Sequence, residues 1–260
     1  MVKTFDLTGK TILITGGYGF LGSAIVESLL FHGANVYVLG RNEVKFTKSF
    51  SSDGKSKQPQ FLVCDVASSN SIKMAIEAAF NAEKQIDVLI NNAFYSKGNS
   101  PEKMTDEDWQ FGIDGSLNSV FRCIREIIPY FKKQKGGKII NVSSMYGVVA
   151  PQFEVYDEHP DFLNPPHYGA AKAGILQLTR YYASYLGQLG ITVNAVTPGA
   201  FPSDNVKENI SFVNALADKT CLKRVGVPEE LAGTFVFLSA DVSNYITGQN
   251  LIVDGGWTAK

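Results

Sequence analysis

Thr11-Ile12-Leu13-Ile14-Thr15 runs directly into Gly16-Gly17-Tyr18-Gly19-Phe20-Leu21-Gly22, and a helical pattern from about 21 to 31 begins at once. A β-branched run followed by glycines and a helix is how a parallel α/β sheet builds a phosphate cradle. The glycines permit a tight turn, let backbone approach a pyrophosphate and let the helix pack on the strand. Free N–H groups and the dipole at the helix N-terminus then favour negative charge. Gly16, Tyr18, Gly19, Phe20, Leu21 and Gly22 are thus candidate dinucleotide-binding residues. An ordinary strand-to-helix turn also carries glycines; the position at the first such junction favours the cradle.

Outward from this loop, short apolar runs alternate with longer segments of helical period. Residues 35–39, 60–63, 86–90, 138–142, 191–196 and 250–254 read as further strands. Helices are expected near 72–82, along one long segment at 106–132, then at 168–186, 206–217 and 228–239. Strands separated by such helices imply crossovers, hence one doubly wound, Rossmann-type parallel sheet of about seven strands with helices on both faces. Several runs are apolar at nearly every position, as burial on both faces requires. The expected core is Ile12, Leu13, Ile14, Val36, Val38, Val88, Leu89, Ile90, Ile139, Ile140, Val193 and Val196. Segments 41–59 and 150–166 read as loops, the first a Lys-rich solvated edge.

The chain has 260 residues, Lys+Arg 24 against Asp+Glu 25, and 45% hydrophobic against 19% charged residues. That length suits a single domain over 1–260. Near-balanced charge excludes the basic face of a nucleic-acid binder, and the composition excludes disorder. No apolar run approaches the ~20 residues of a membrane span, and residues 1–6 lack a secretory core. A cytoplasmic protein is expected. Cys64, Cys123 and Cys221 have no Cys-x-x-Cys spacing and read as buried thiols in a reducing compartment. No spacing suggests a metal site.

The second strand ends in Gly40-Arg41-Asn42. An acid there would hold the ribose 2′-hydroxyl of NAD, whereas an Arg accommodates a 2′-phosphate. Arg41 therefore favours NADP over NAD, the alternative being a plain surface cation. Farther on, Tyr168-Gly169-Ala170-Ala171-Lys172 places a phenol and an ammonium on one helix face. A free phenol titrates near pKa 10, and a neighbouring cation lowers it by ~1–3 units. It then becomes usable as a proton donor and acceptor. Ser143-Ser144, after the 138–142 run, offers a hydroxyl to hold a substrate oxygen.

Together these residues resemble the short-chain dehydrogenase/reductase family in its compact single-domain branch. Leu7-Thr8-Gly9-Lys10, Cys64-Asp65-Val66, Asn91-Asn92-Ala93, Trp109, Asn141-Val142-Ser143-Ser144, Asn194-Ala195-Val196-Thr197-Pro198-Gly199 and Val253-Asp254-Gly255-Gly256 extend the resemblance over nearly the whole chain. It implies reversible hydride transfer between a nicotinamide and a carbonyl or alcohol carbon. By position it implies Tyr168 as the acid/base, and Lys172 as the group that tunes it and holds the nicotinamide ribose. Ser144 would polarise the carbonyl, Asp65 would contact adenine beside Val66, and Asn91 would support the cofactor-side backbone. Asn92, Ala93, Pro198 and Gly199 would also meet the cofactor, with Ser203 near its carboxamide. The family further implies a homotetramer or homodimer, with the long central helices and 254–256 at interfaces.

Three departures stand out. Phe20 occupies a position where the compact branch places Gly, a spacing closer to the extended, epimerase-like branch. The chain leaves no room after 254–256 for that branch's substrate domain. Ser116, seven residues after Trp109, replaces the Asn that holds a water behind the Lys; a hydroxyl can bond water too. Phe94 replaces the Gly after Asn-Asn-Ala. In addition, 23 residues separate Ser144 from Tyr168, more than compact relatives carry. The 150–166 insert, with Glu154, Tyr156, Asp157, Glu158, His159, Asp161 and Phe162, reads either as a solvated loop or as a lid suited to a hydroxyl-rich ligand. With Pro165-Pro166-His167 it resembles a bacterial surface-sugar and flagellin-glycan subgroup.

The expected function is an NADP-dependent oxidoreductase acting on a small polar, sugar-derived carbonyl or hydroxyl. One alternative is reduction of a 3-oxoacyl thioester, against which the acidic insert argues because an acyl carrier protein is itself acidic. The other is a non-catalytic nucleotide sensor or scaffold on the same fold.

Overall fold

The apolar runs become strands because neither of their faces meets water. In the computed structural model, which describes residues 5–50, 57–98 and 100–260, they are β1 (Thr11–Thr15), β2 (Asn35–Gly40), β3 (Gln60–Val63), β4 (Val88–Asn91), β5 (Gly137–Val142), β6 (Ile191–Pro198) and β7 (Asn250–Val253). They form one parallel sheet in the order β3-β2-β1-β4-β5-β6-β7. The order reverses between β1 and β4, which opens a crevice beyond their carboxyl ends. This is the doubly wound α/β fold expected from the sequence.

Alternate residues of each strand feed opposite cores. Leu13, Leu89, Ile139 and Val193 pack beneath α3 (Ser69–Glu83), α5 (Ser119–Gln134) and α6 (Pro166–Leu186). Their strand neighbours Ile12, Ile14, Val88 and Ile140 pack beneath α1 (Phe20–Phe31) and α9 (Pro228–Ser239). All twelve expected core residues are at most 1% exposed.

Local side-chain capping accounts for most departures from expectation. The 41–59 segment is not all loop: the Asn42 side chain accepts from Lys45 N at 2.9 Å and starts α2 (Glu43–Ser49). Residues 51–56 of that segment lie outside the described residues. The helix expected at 206–217 is two, α7 (Asp204–Lys207) and α8 (Ile210–Lys219), because Asn209 caps Phe212 N and opens a new first turn. Cys64 and Cys123 are buried thiols as expected, but Cys221 is exposed on the turn after α8, its thiol facing Gly256 O.

The long helix expected at 106–132 is interrupted. α4 (Asp106–Ile113) passes into a π turn, Asp114–Asn118, before α5 begins. π turns of this kind recur at functional sites. Asp114 receives hydrogen bonds from Arg122, Tyr95 and Asn118. Partial burial alone would raise its carboxyl, yet these hydrogen bonds and the guanidinium charge hold it at about 2. Its folded value thus lies below the ~3.9 of an unpaired Asp, so the associated stability is present above pH ~4. It is lost as pH falls towards 2. Asp114→Asn is expected to lower unfolding free energy by about 1–2 kcal/mol at pH 7. In urea titrations repeated at decreasing pH, the gap between variant and parent should narrow below pH ~4 and close near pH ~2.

Candidate active site

The glycine loop is shaped by what a Cβ would strike. At Gly22 it would come within 2.6 Å of Gly16 O, and Gly16 adopts φ +65° against the Ala93 backbone. No side chain caps α1 and no acid stands in its first turn, so its first N–H groups face outward without a competing anion. At the end of β2, a Cβ on Gly40 would sit 2.3 Å from the Tyr18 ring. The Tyr18 hydroxyl accepts from Arg41 N at 3.2 Å and Asn42 N at 3.3 Å. Tyr18 thus occupies the space an acidic side chain at position 40 would need.

A cleft of about 940 Å³ follows from this geometry. Gly16, Tyr18, Gly19, Phe20, Leu21, Gly22, Arg41, Val66, Asn92, Ala93 and Ser203 all line it. So do Lys45, Cys64, Phe94, Tyr95, Asn164 and Phe201, none of them selected as a site residue from sequence. Asp65 is not among the lining residues; its carboxylate accepts from Ala67 N at 3.0 Å and shapes the turn after β3. Pro198 and Gly199 also stay out of the lining, because Gly199 N is bonded to Val253 O and its Cα faces Asp254.

The role expected of Asn91 falls to its neighbour. Asn92 Nδ2 donates to Thr15 O at 3.0 Å and Gly16 O at 3.1 Å, bracing the loop from β4. Asn91 instead points along the sheet to Asn141 Oδ1 at 2.8 Å. Consecutive strand residues face opposite ways, so only one of the pair can reach the glycine loop.

Ser144, Tyr168 and Lys172 come together past the carboxyl end of β5, not among the residues that line the cleft but joined to it through Phe94, which packs on the Tyr168 ring. Lys172 Nζ donates to Val142 O at 2.9 Å and lies 5.6 Å from the Tyr168 ring centroid and 5.3 Å from that of Phe94. The Ser143 hydroxyl ties the Lys172 carbonyl to the end of β5 at 2.9 Å. Burial pulls the Lys172 ammonium down to about 8. Burial also raises the Tyr168 phenol, with hydrogen bonding to Ser144 acting in the opposite sense. The expectation that Lys172 lowers the phenol is therefore not met: burial weakens the ammonium and dominates the phenol alike. Ser116 lies in the π turn, its hydroxyl buried and without a hydrogen-bond partner among the described residues.

The 150–166 insert splits by face. Glu154, Asp157, Glu158 and Asp161 are exposed, and Glu154 pairs with Lys219 at 2.6 Å. Phe162 stacks on Phe212 of α8 at 4.4 Å, and His159 packs on the same ring at 5.3 Å. The segment is docked, and the acids line its outside rather than the cleft.

The family model described as enoyl-(acyl carrier protein) reductase matches residues 20–258. This chain is a short-chain dehydrogenase/reductase. The 3-oxoacyl-[acyl-carrier-protein] reductase FabG of Rickettsia felis is 35% identical over 252 residues, covering 96% of this chain and 98% of the relative. Among solved structures, a putative gluconate dehydrogenase from Agrobacterium tumefaciens is 32% identical with TM-score 0.88, covering 98% of both chains. A short-chain dehydrogenase from Leptospira borgpetersenii, solved with bound NAD+, is 33% identical with TM-score 0.87, covering 99% of this chain and 97% of its own.

As a short-chain dehydrogenase/reductase the protein is an oxidoreductase that binds a nicotinamide cofactor. The glycine cradle, uncapped α1 and elongated cleft fit such a dinucleotide. Gly22→Ala places a methyl against backbone on three sides, with no flexible side chain to yield. It should weaken cofactor binding at least tenfold in fluorescence titration, whereas Gly233→Ala, with open space around its Cβ, should not.

Proposed function

We propose that this enzyme transfers hydride between NADP(H) and a carbonyl or alcohol carbon of a small polar, sugar-derived substrate. The observation that carries the chemistry is the convergence of Ser144, Tyr168 and Lys172 beside the cleft. A bound nicotinamide would supply or accept the hydride. Tyr168 transfers the proton to or from the substrate oxygen, and Ser144 holds that oxygen by hydrogen bonding. Lys172, fixed by Val142 O, would orient the ribose of a bound cofactor and feed the proton path. The buried, unpartnered Ser116 hydroxyl holds a water behind Lys172, doing with a shorter reach what the family's usual Asn does. Phe94 packs on Tyr168 with centroids 5.9 Å apart and excludes solvent from that side.

Arg41 and Lys45 support NADP. Both line the adenosine end of the cleft, where Gly40 and the Tyr18 ring leave no room for an acid. Val66 and Ser203 line the cleft and would meet the cofactor, with Asp65, Pro198 and Gly199 as contacts just outside that lining. The exposed Asp157, Glu158 and Asp161 support a small substrate, since on the outer face of the insert they would repel an acidic carrier protein approaching from that side. Reduction of a 3-oxoacyl thioester is the second reading, favoured by the names of the bacterial relatives. A homotetramer or homodimer fits the exposed Phe121, Tyr181 and Tyr185 on α5 and α6, and reduced thiols fit a cytoplasmic setting.

A panel of keto-sugars, hydroxyketones and oxoacyl thioesters assayed with both reduced cofactors decides between these readings. Arg41→Ala should raise KM for NADPH about tenfold, leaving NADH nearly unaffected, since it removes a charge-assisted bond to the 2′-phosphate. Because burial keeps the phenol protonated near neutrality, kcat/KM for reduction should be flat there. It should fall as pH rises through about 8, where Lys172 loses its proton, and further as the phenol ionises. Tyr168→Phe should lower kcat by about 10²–10⁴-fold.

A further inference from the structure

Next to the reacting tyrosine, an imidazole occupies a slot between α4 and α6. His167, the residue before Tyr168, is fully buried in the first turn of α6. Its Nε2 lies 2.8 Å from Lys97 O, with Ser96 Oγ farther off at 3.5 Å. A backbone carbonyl can only accept, so Nε2 carries the hydrogen and donates it. Nδ1 is then a bare acceptor, and it has no partner among the described residues. The slot offers it none. A Cβ on Gly112 of α4 would come within 2.3 Å of Nδ1, and the Trp109 ring meets the imidazole edge-on with centroids 6.4 Å apart.

A hydrocarbon side chain would fill this slot without leaving a buried nitrogen unpaired, which costs free energy. What the imidazole adds is the bond to Lys97 O. That carbonyl closes residues 94–97, the short segment after β4. The start of the segment is pinned as well, since Ala93 N donates to Thr15 Oγ1 at 3.0 Å. Tyr95 ties its middle to Phe111 and Asp114. The bond from His167 ties it to the helix that carries Tyr168 and Lys172. Phe94 stands between the two end pins, lines the cleft and is 55% exposed. Its ring packs on Tyr168 with centroids 5.9 Å apart and lies 5.3 Å from Lys172 Nζ. With more than half its surface free, this ring owes its place to the backbone beneath it. One of the bonds holding that backbone starts a single peptide away from the reacting phenol.

We propose that His167 is a positioning residue for the reaction: its bond to Lys97 O sets the spacing between Phe94 and Tyr168, and with it the passage from the cleft to the phenol. This rests on the redox reading above and deepens it. The imidazole touches neither substrate nor cofactor and acts through Phe94.

The test is a double-mutant cycle, run with a carbonyl compound that the parent enzyme turns over, beside amide hydrogen exchange of the segment. His167→Leu keeps the slot filled and should lower kcat/KM about tenfold, mainly in kcat. Its urea midpoint should stay close to the parent's, because loss of the bond is offset by removal of the unpaired nitrogen. His167→Gln, whose amide N–H reaches where Nε2 stands, should recover most of the loss, and the shorter His167→Asn should not. Gly112→Ala, which drives a methyl into the imidazole, should reproduce the loss with the histidine in place. In a Phe94→Ala background, His167→Leu should cost nothing further, since the two act as one unit. Exchange across residues 94–98 should quicken in His167→Leu and not in His167→Gln. Additive losses in the cycle, unchanged exchange in His167→Leu, or no recovery with His167→Gln would each overturn the positioning role and leave the redox reading standing. A parent enzyme that turns over no carbonyl compound overturns the redox reading, and this role with it.

Discussion

The Thr15 hydroxyl holds the two halves of this fold in register at the point where strand order reverses. It accepts from Asn92 N at 3.1 Å and Ala93 N at 3.0 Å, while Asn92 Nδ2 returns to Thr15 O. The glycine loop after β1 and the segment after β4 are thereby one unit. The first carries Tyr18 and the N-terminus of α1, and the second carries Phe94 and Tyr95. From there the constraint spreads outward. Phe94 meets the Tyr168 ring and Lys172, and Tyr95 meets Asp114 at the start of the π turn. A slip at Thr15 would therefore displace both the cradle and the aromatic wall facing the proton-transfer pair.

Burial sets the electrostatics of the site more than pairwise charge does. Lys172 is enclosed by β5, the Phe94 ring and its own helix, and Val142 O fixes where its ammonium points. The same enclosure keeps the Tyr168 phenol in its neutral form. A neutral phenol is the form a carbonyl reductase needs in its proton donor. On the opposite side, the π turn leaves the Ser116 oxygen buried and available. An uninterrupted helix would rotate every later residue of the segment by a full position, so the turn decides which side chains of α5 meet the core.

Much of this was legible in the sequence because it depends on local chemistry. Alternating apolar strands and the glycine spacing specify a parallel sheet with a cradle at its first junction. Arg41, Tyr168 and Lys172 could be picked out from their positions relative to those elements. The failures have physical causes as well. Asn92, expected at the cofactor, also braces the loop in place of Asn91, because the two side chains face opposite ways and Asn91 turns into the sheet. Asp65 turns to its own backbone, an option open to any Asp in a turn. Lys45 reads as part of a Lys-rich solvated edge in sequence, but it stands in the first turn of α2, capped by Asn42, and lines the cleft.

What the sequence alone determined is the fold and the family, since both follow from periodicity and from motifs a few residues long. What the tertiary structure decided is which groups share a space. Tyr146 follows the Ser144 motif but Tyr156 and Asn164 belong to the insert, and only the docking of that insert on α8 brings their polar atoms together. The outward turn of the insert's acids, the break at Asp114 and the balance of burial over charge at Tyr168 are of the same kind. Each depends on packing between segments far apart in the chain, where desolvation and hydrogen-bond geometry are set by neighbours that no local stretch contains.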